Sequence, residues 1–246
     1  MKLAIFIPVF NTGRQTLQQT VDSIIKQTKL PDCVWIVDNH STDDTLNVEF
    51  GQEFTDKVEV IVTRNESNLG RVKNWNKCLE LFSESKYDAM KFIFAGDTLD
   101  PVCLEEQLNM LSEDIPLVTS GHRVKRFPAS YNMLQFDSDV VLKPKESVEK
   151  AHKDGNWIGG SSACPMFHKS ILGKIRFNED MSWASDWLFW TQLSEKGNTA
   201  FVKDVLANFH MKHRKGYKAL SGSVLAQNEE KKVKQYISNV LSIWPK

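Results

Sequence analysis

The chain is poor in cysteine and has no long hydrophobic run, and these absences exclude several classes of protein. Its four cysteines are widely scattered without a C-x-x-C pair, which excludes the common zinc-site spacings and a dense disulfide framework. No window approaches about eighteen uninterrupted apolar residues, so we expect no membrane-spanning helix. The first apolar run breaks at Pro8 without a small-residue cleavage site, so we expect no signal peptide. These features predict a cytoplasmic protein with reduced thiols.

The chain also lacks an excess of charge of either sign. Lysine plus arginine and aspartate plus glutamate both number 31, which gives no net attraction to nucleic acid, and we expect no nucleic-acid partner. The 246 residues suffice for one large α/β domain that removes roughly 70 to 75% of its extended surface from water. The sequence has no repeat, low-complexity tract or linker, so residues 1–246 are predicted to form a single domain.

Strand-like and helix-like patterns alternate over the first half of the chain. Apolar runs at residues 3–10, 33–37, 58–63 and 90–94 are typical of strands, and segments with helical spacing separate them. One of these segments is a possible helix that extends from the polar residues 41–45 to about residue 54. The alternation predicts an α/β fold with a Rossmann-like, mixed and mostly parallel central sheet flanked by helices.

The second half is less regular. Its pattern predicts a helix near residues 104–111, a strand at 116–120, a substrate-specific insertion at 123–153, a helix at 185–196, a strand at 199–205 and a helix over the last twenty residues. We therefore divide the predicted domain into residues 1–100, residues 101–223 and a C-terminal helix at residues 224–246.

Polar residues follow the first two predicted strands. Asn11 comes after the first, and Asp38 with Asn39 ends the second. Because the carboxyl ends of parallel strands line one crevice where ligands bind, Asp38 is a candidate for reading a nucleotide.

A third strand end delivers a carboxylate, Asp97, into a turn. A hard divalent cation needs only one or two carboxylates when a diphosphate supplies further oxygens, so Asp97 is a candidate metal ligand. The alternative is that Asp97 and Asp100 cap the helix that begins after Pro101. We favour capping for Asp100 and metal binding for Asp97.

Asp186 lies at the start of a strongly apolar predicted helix, between Trp183 and Trp187. It either caps free N–H groups or acts as a general base, and both roles need the same position. Burial by the tryptophans would raise the pKa of its carboxyl group, whereas hydrogen bonds from the helix N-terminus would lower it.

Two further segments have residues suited to binding. Asn68, Gly70 and Arg71 precede a helix whose N-terminus favours anions, and they suit a phosphate group, although a capped turn with solvated cations explains them as well. The cluster of His210, His213, Arg214 and Lys215 is weak evidence for zinc, and we select His210 as a metal or phosphate contact, with a solvated loop as the alternative. Trp157 and Trp183 are candidates for stacking on a sugar ring.

Taken in order, these motifs resemble the family 2 glycosyltransferases of GT-A fold from residue 1 to about residue 223. The similarity rests on Ile7-Pro8-Val9-Phe10-Asn11, on Val37-Asp38-Asn39 with Ser41-Thr42-Asp43, on Asn68-Leu69-Gly70, on Gly96-Asp97 before Pro101, and on Ser185-Asp186-Trp187 before Glu195-Lys196-Gly197. Two positions depart from the family pattern. The metal motif has Phe94 and Gly96 where further carboxylates are usual, and Gln192 stands where an arginine is frequent.

The resemblance implies an inverting glycosyltransferase that uses a UDP-linked sugar and acts in surface polysaccharide or lipid-linked glycan synthesis. It also implies that residues 1–100 are a nucleotide-binding half and residues 101–223 an acceptor-binding half. It implies that Asp38 binds the base, that Pro8 and Phe10 shape the base pocket, that Asp97 holds Mn²⁺ or Mg²⁺, and that Asp186 deprotonates the acceptor. We add Asn11, Asn68, Gly70, Arg71 and Gly96 to the expected donor site, and Trp157, Gly160, Trp183 and Ser185 to the expected acceptor site.

Two other functions are weighed against this interpretation. A sugar nucleotidyltransferase would need a glycine-rich basic loop after the first strand, for which residues 11–14 are a poor substitute. A catalytically silent nucleotide-binding module fits the reduced metal motif but has no need of Asp186. The sequence leaves the oligomeric state open, and Trp244 with the terminal helix is a candidate for peripheral membrane contact.

Overall fold

The computed structural model describes residues 1–126, 128–157, 159, 164–213 and 220–244. Ten strands form one sheet: β1 (Leu3–Val9), β2 (Cys33–Asp38), β3 (Glu59–Arg64), β4 (Ala89–Phe92), β5 (Thr98–Leu99), β6 (Leu117–Arg126), β7 (Ala129–Met133), β8 (Val140–Leu142), β9 (Met166–His168) and β10 (Thr199–His210). The α-helices of the described residues are α1 (Arg14–Ile25), α2 (Gln52–Thr55), α3 (Arg71–Glu84), α4 (Cys103–Met110), α5 (Pro144–Asp154), α6 (Ser185–Ser194) and α7 (Val224–Ile243).

The sheet is mixed, and its longest ladders are parallel. Its order is β3-β2-β1-β4-β9-β6-β10-β5, with β7 on β6 and β8 on β10. β1 pairs in parallel with β2 and β4, β2 with β3, and β6 with β10, while the other pairs are antiparallel. This confirms the predicted α/β architecture. Because β1 to β4 run in the same direction, the residues that follow them meet at one edge of the sheet.

β1 separates the two hydrophobic cores of the domain. All seven of its residues are buried, as expected for a strand with both faces covered. Its alternate side chains point to opposite faces. On one face Phe6 contacts Phe82 and belongs to the cluster that contains Phe189 and Val233. On the opposite face Ile7 belongs to a second cluster with Leu17 and other residues of α1 and α4.

The segment after β2 differs from the prediction, because only α2 is helical there. Backbone N–H groups of this segment bond to side chains instead of to a helix: the Ser41 amide donates to Asp38 and the Thr45 amide to the Asp43 carboxylate at 3.0 Å. Side-chain acceptors of this kind compete with helix formation. The predicted helix over residues 41–54 is therefore wrong for all but its last residues.

The second half has more regular structure than the sequence predicts. β6 and β10 extend well beyond residues 120 and 205 because they pair with each other in parallel, with two register shifts. The irregular stretch at 123–153 contains the end of β6, the strands β7 and β8, and α5. Long-range pairing of this kind leaves no local signal in the sequence.

The C-terminal helix α7 is part of the domain core. Val233 and Ile237 are fully buried in the cluster that contains Phe6, and the Ser223 side chain caps the helix by accepting the Ala226 amide at 3.1 Å. This confirms the predicted terminal helix. None of the helices in the described ranges is both long and apolar enough to cross a membrane.

A buried histidine on β6 predicts a loss of stability in mild acid. His122 is 7% exposed, and burial lowers the pKa of its imidazole from 6.5 to about 4. Between these pH values the unfolded chain binds the proton and the folded chain does not. The contribution of His122 to the free energy of unfolding is therefore fully present above about pH 6.5 and is lost as the pH falls toward 4. We expect His122 to account for a loss of about 3 kcal/mol over this range.

Urea unfolding at pH 7 and pH 4.5 measures this loss. Carboxylates also contribute to acid sensitivity, so the wild type is compared with His122→Gln, which does not titrate there. The variant is expected to lose about 2 to 3 kcal/mol less stability between the two pH values. Equal losses in both proteins would show that His122 does not set the acid sensitivity.

Candidate functional site

The loop after β1 is fixed by hydrogen bonds to the loop after β2. Asn11 has a positive φ of 46°, its amide donates to the Ser41 hydroxyl at 2.9 Å, and its side-chain oxygen accepts the Thr42 amide at 2.8 Å. Pro8 is buried opposite Val37, whereas the ring of Phe10 is 43% exposed at the sheet edge. Phe10 is therefore exposed to solvent at this edge and Pro8 is not, and their contacts with a nucleotide base stay predictions.

Asp38 is fully buried where β2 ends. Its two carboxylate oxygens accept the Ser41 amide at 3.0 and 3.2 Å, and a guanidinium nitrogen of Arg64 lies 3.4 Å from one of them. Arg64 also donates to the Ser41 carbonyl at 2.7 Å. In this arrangement Asp38 holds the loop after β2 in place, and its contact with a nucleotide base stays a prediction.

A network of four asparagines joins the ends of β2 and β3 to the turn before α3. The Asn39 amide nitrogen donates to Asn68 Oδ1 at 2.8 Å and to the Gly70 carbonyl at 3.3 Å. Its oxygen accepts from Asn65 at 3.0 Å and from the Leu69 amide at 2.8 Å. Asn65 in turn donates to Asn74, whose amide bonds the Val37 carbonyl.

This network fixes the turn that was predicted to bind phosphate. Gly70 has a positive φ of 84°, which favours glycine, and the Asn68 side chain accepts its amide at 2.8 Å. Asn68 and Gly70 are thus part of the scaffold of the turn. The turn leads directly into the N-terminus of α3, where backbone N–H groups attract anions.

Replacing Asn39 by alanine tests this scaffold. Asn39 is 2% exposed, so its loss leaves several buried donors and acceptors without partners, and we expect the free energy of unfolding to fall by about 2 to 4 kcal/mol. Urea unfolding measures the loss. Asn239→Ala is the control, because Asn239 is exposed on α7, and it should change stability by less than about 0.5 kcal/mol. A similar small change in Asn39→Ala would show that the network does not hold the turn.

Asp97 is held between α1 and β10. The Thr20 hydroxyl donates to the Asp97 carbonyl at 2.8 Å and accepts the Gly96 amide at 2.9 Å. The Asp97 carboxylate accepts the backbone amide of His210 at 3.1 Å. Gly96 has a positive φ of 94°, so a glycine allows the sharp turn that places Asp97 after β4. The Asp100 side chain accepts the Val102 amide at 3.4 Å just before α4, but the N-cap of α4 is Val102 and no side chain caps the helix, so the predicted capping by Asp100 is wrong.

Asp97 and His210, which are far apart in the sequence, are thus brought together. The His210 ring lies 3.4 Å from the Thr98 hydroxyl, and the Asn208 amide oxygen is buried without a partner among the described residues. Asn208 and His210 share one face of β10. The side chains of the other three residues of the cluster, His213, Arg214 and Lys215, lie outside the described part of the structure.

The chemistry of these side chains suits a divalent cation. Carboxylate, amide oxygen and imidazole suit Mn²⁺, and Mg²⁺ prefers the oxygens. No group of three or more histidine, cysteine, aspartate or glutamate side chains gathers in the described parts of the chain. A cation at Asp97 would therefore take most of its ligands from a diphosphate and water.

Asp186 is half-buried in the first turn of α6. Its carboxylate accepts the Trp187 amide at 2.8 Å. The segment just before it, residues 182–184, contacts α3, because the Arg71 guanidinium donates to the Ser182 carbonyl while lying 5.1 Å above the Trp75 ring. Arg71 therefore links the predicted phosphate turn to the predicted base.

Three of the four expected acceptor residues are described, and two of them do not present their side chains. Trp157 is 2% exposed and stacks on Trp190, so its expected contact with a sugar ring is not supported. The Ser185 hydroxyl is buried and donates to the Asn178 carbonyl at 2.9 Å. Trp183 is half-buried, and its indole N–H donates to Glu230 at 2.8 Å. Gly160 lies outside the described residues.

Sequence reasoning missed the residues that support the site from a distance. Thr20, Asn65, Asn74, Glu229 and Glu230 all bond to segments named above. Thr20 and Glu229 are polar residues at buried helix positions, and a polar residue on the apolar face of an amphipathic helix is the signal that could have found them.

Comparison with known proteins identifies a family that the chain matches. Residues 4–176 match the sequence profile of glycosyl transferase family 2. The hyaluronan synthase of Streptococcus pyogenes is 24% identical over 180 residues, which are 70% of this chain and 41% of that protein.

Two solved structures share the fold. The S. aureus TarS 1-349 structure in complex with UDP-GlcNAc superposes with a TM-score of 0.73 and 17% identity, over 97% of this chain and 66% of that one. The mannosyltransferase PcManGT from Pyrobaculum calidifontis, in complex with GDP-Man and Mn²⁺, has a TM-score of 0.57 and 14% identity, over 84% of this chain and 56% of that one.

Proposed function

This chain belongs to glycosyl transferase family 2, and from that membership we propose that it moves a sugar from a UDP-linked donor to a hydroxyl group of a glycan or lipid-linked acceptor. It is a glycosyltransferase with the GT-A fold. The donor nucleotide and sugar, the acceptor and a role in surface polysaccharide synthesis are the proposed parts. They are supported by similarity to a hyaluronan synthase and by the fold shared with a UDP-GlcNAc complex of TarS.

The observation that supports the proposal best is the pair of carboxylates on separate scaffolds. Asp97 is fixed after β4 by α1 and β10, and Asp186 is fixed at the start of α6. Arg71 connects the turn before α3 to the segment before Asp186 through Ser182. A transferase needs one group beside the departing diphosphate and another beside the attacking hydroxyl, and we propose Asp97 for the first role and Asp186 for the second.

On the donor side we propose that Phe10, Asn11 and Asp38 surround the base and that Pro8 supports them. Asn68, Gly70 and Arg71 would lie beside the diphosphate, at the N-terminus of α3, and Gly96 would let Asp97 approach it. Asp97 and His210 would hold Mn²⁺ or Mg²⁺, which when bound supplies Lewis acidity toward the leaving diphosphate. The fold is shared with a mannosyltransferase solved with Mn²⁺.

On the acceptor side we propose that Asp186 is the general base. The acceptor oxygen forms a bond to the anomeric carbon as the bond from that carbon to the diphosphate oxygen breaks, and the hydroxyl proton passes to Asp186. Attack from the face opposite the leaving group inverts the configuration. Trp183, with its indole N–H fixed by Glu230, is the described aromatic residue best placed to contact the acceptor.

Incubation with nucleotide sugars tests the proposal. UDP-GlcNAc, UDP-glucose and GDP-mannose are supplied with Mn²⁺ and a set of p-nitrophenyl and octyl glycosides, and products are read by mass spectrometry. Transfer from a UDP-linked sugar is expected. Transfer from GDP-mannose alone would contradict the proposed donor, and nucleotide binding without any transfer would favour a silent module.

We further propose that the enzyme works at the cytoplasmic face of a membrane when its acceptor is lipid-linked. The exposed apolar side chains Val224 and Ile243 at the two ends of α7 support this position. Flotation of the full chain with anionic phospholipid vesicles measures it, and a chain that stays unbound would contradict it.

A further inference from the structure

The segment before Asp186 is anchored by the C-terminal helix. We call residues 182–184 the base strap, because they lead directly into α6 and Asp186. The N-cap position of α6 is Ala184, and it provides no side-chain hydrogen bond to the free N–H groups of the helix. Alanine is a poor N-cap, and although Asp186 accepts the Trp187 amide, the segment that enters this helix end needs an acceptor from another element.

Glu229 of α7 supplies that acceptor. Its carboxylate accepts the amide of Ser182 at 2.8 Å, of Trp183 at 2.7 Å and of Ala184 at 3.0 Å. Three consecutive backbone amides thus converge on one carboxylate that is only 2% exposed. Hydrogen bonds to an ionised group are about twice as strong as neutral ones, and a negative charge near a helix N-terminus is stabilising.

Neighbouring contacts hold the base strap from both sides. Glu230 accepts the Trp183 indole N–H at 2.8 Å, and Arg71 of α3 donates to the Ser182 carbonyl. At the other end of α6, the Tyr236 hydroxyl of α7 donates to Glu195 at 3.0 Å. α7 therefore contacts both ends of the helix on which Asp186 lies, but only Glu229 bonds the strap backbone through three amides.

We propose that Glu229 is a positioning residue for the transfer reaction, which fixes the base strap and thereby aims Asp186 at the acceptor hydroxyl. The proposal rests on the proposed role of Asp186 as the base. The family match ends at residue 176, so Glu229 lies outside the matched segment. Its proposed role is therefore inferred from its hydrogen bonds in this structure and not from the family. A misplacement of about 1 Å at a reacting group lowers rates by about 10²-fold, so a loosened strap has a measurable effect.

Glu229→Gln is the test variant, because it keeps the shape of the side chain and one acceptor oxygen while its NH₂ group faces backbone donors. We expect transfer from UDP-GlcNAc to fall about 10- to 100-fold. UDP binding by calorimetry should stay unchanged, since it does not use the aimed base. Hydrogen exchange at the amides of residues 182–184 should become faster.

Two control variants separate positioning from general stability. Glu113→Gln makes the same chemical change at an exposed position with no contact to α6, and Tyr236→Phe removes the bond at the opposite end of α6. Both are expected to transfer sugar at the wild-type rate and to leave exchange of the base strap unchanged.

The outcomes distinguish this inference from the proposed function. If the wild type is active and Glu229→Gln is equally active, the role of Glu229 is overturned while the proposed function stands. Unchanged hydrogen exchange at residues 182–184 in Glu229→Gln has the same consequence. Equal losses of transfer and of UDP binding show a merely structural residue and also overturn it. A wild type that neither binds UDP nor transfers sugar contradicts the proposed function, and the inference fails with it.

Discussion

Replacing Asp186 by asparagine is expected to lower the rate of sugar transfer about 10²- to 10⁴-fold, which is the usual contribution of a general base. The amide cannot take the acceptor proton, although it keeps the oxygen that accepts the Trp187 amide. The fold and the donor site should therefore remain intact. The measurement is kcat for transfer from UDP-GlcNAc, together with the Kd of UDP by calorimetry, which should not change.

Asp204→Asn is the matched control for this prediction, because Asp204 is an exposed aspartate on β10 that serves no proposed role. Its transfer rate should equal that of the wild type. If Asp186→Asn retained more than about a tenth of the wild-type rate, another group would have to be the base.

Replacing Asp97 by asparagine is expected to have the second-largest effect. The variant keeps an oxygen that can accept the His210 amide, so the turn after β4 should fold as before. It loses the negative charge that a divalent cation needs, and we expect transfer to fall about 10²- to 10³-fold, which corresponds to about 3 to 4 kcal/mol of transition-state stabilisation. The affinity of UDP in the presence of Mn²⁺ should fall in parallel.

Asp100→Asn is the control for Asp97, since it lies in the same loop and an asparagine oxygen can still accept the Val102 amide. It should bind UDP and Mn²⁺ as the wild type does. Tight Mn²⁺-dependent UDP binding by Asp97→Asn would show that other groups hold the cation.

The fold could be predicted from the sequence because its first half is built from local patterns. The continuous apolar run of β1 and the helical spacing of Leu17, Val21 and Ile24 determine a βαβ unit, and both are confirmed. The segment after β2 was predicted wrongly because its backbone bonds to the side chains of Asp38 and Asp43 rather than forming a helix.

The candidate site could be predicted only in part, for a physical reason. Residues that follow a strand, such as Asp38 and Asp97, are fixed by the direction of the sheet, and strand patterns show where they lie. Residues that act across the fold leave no local pattern: Glu229 bonds amides about 45 residues earlier in the chain. Trp157 shows the opposite error, because a tryptophan near glycine can equally be a core residue.

The C-terminal helix α7 is more closely joined to the rest of the domain than the sequence predicts. On the sequence alone, residues 224–246 are treated as a unit separate from the two predicted halves. In the structure α7 contributes Val233 and Ile237 to the core and Glu229 to the base strap. We therefore propose that α7 belongs to the acceptor-binding half, and that truncation before it would remove core packing as well as any membrane contact.

Calorimetric titration of UDP, GDP, CDP and dTDP into the wild-type protein, with and without Mn²⁺, tests the central claim most directly. The claim is that a nucleoside diphosphate binds where β1, β2 and β4 end, with a cation at Asp97. We predict saturable binding of UDP that is stronger in Mn²⁺ and stronger than that of the other three nucleotides. If none of the four nucleotides bound, with or without Mn²⁺, the proposed donor site would be contradicted.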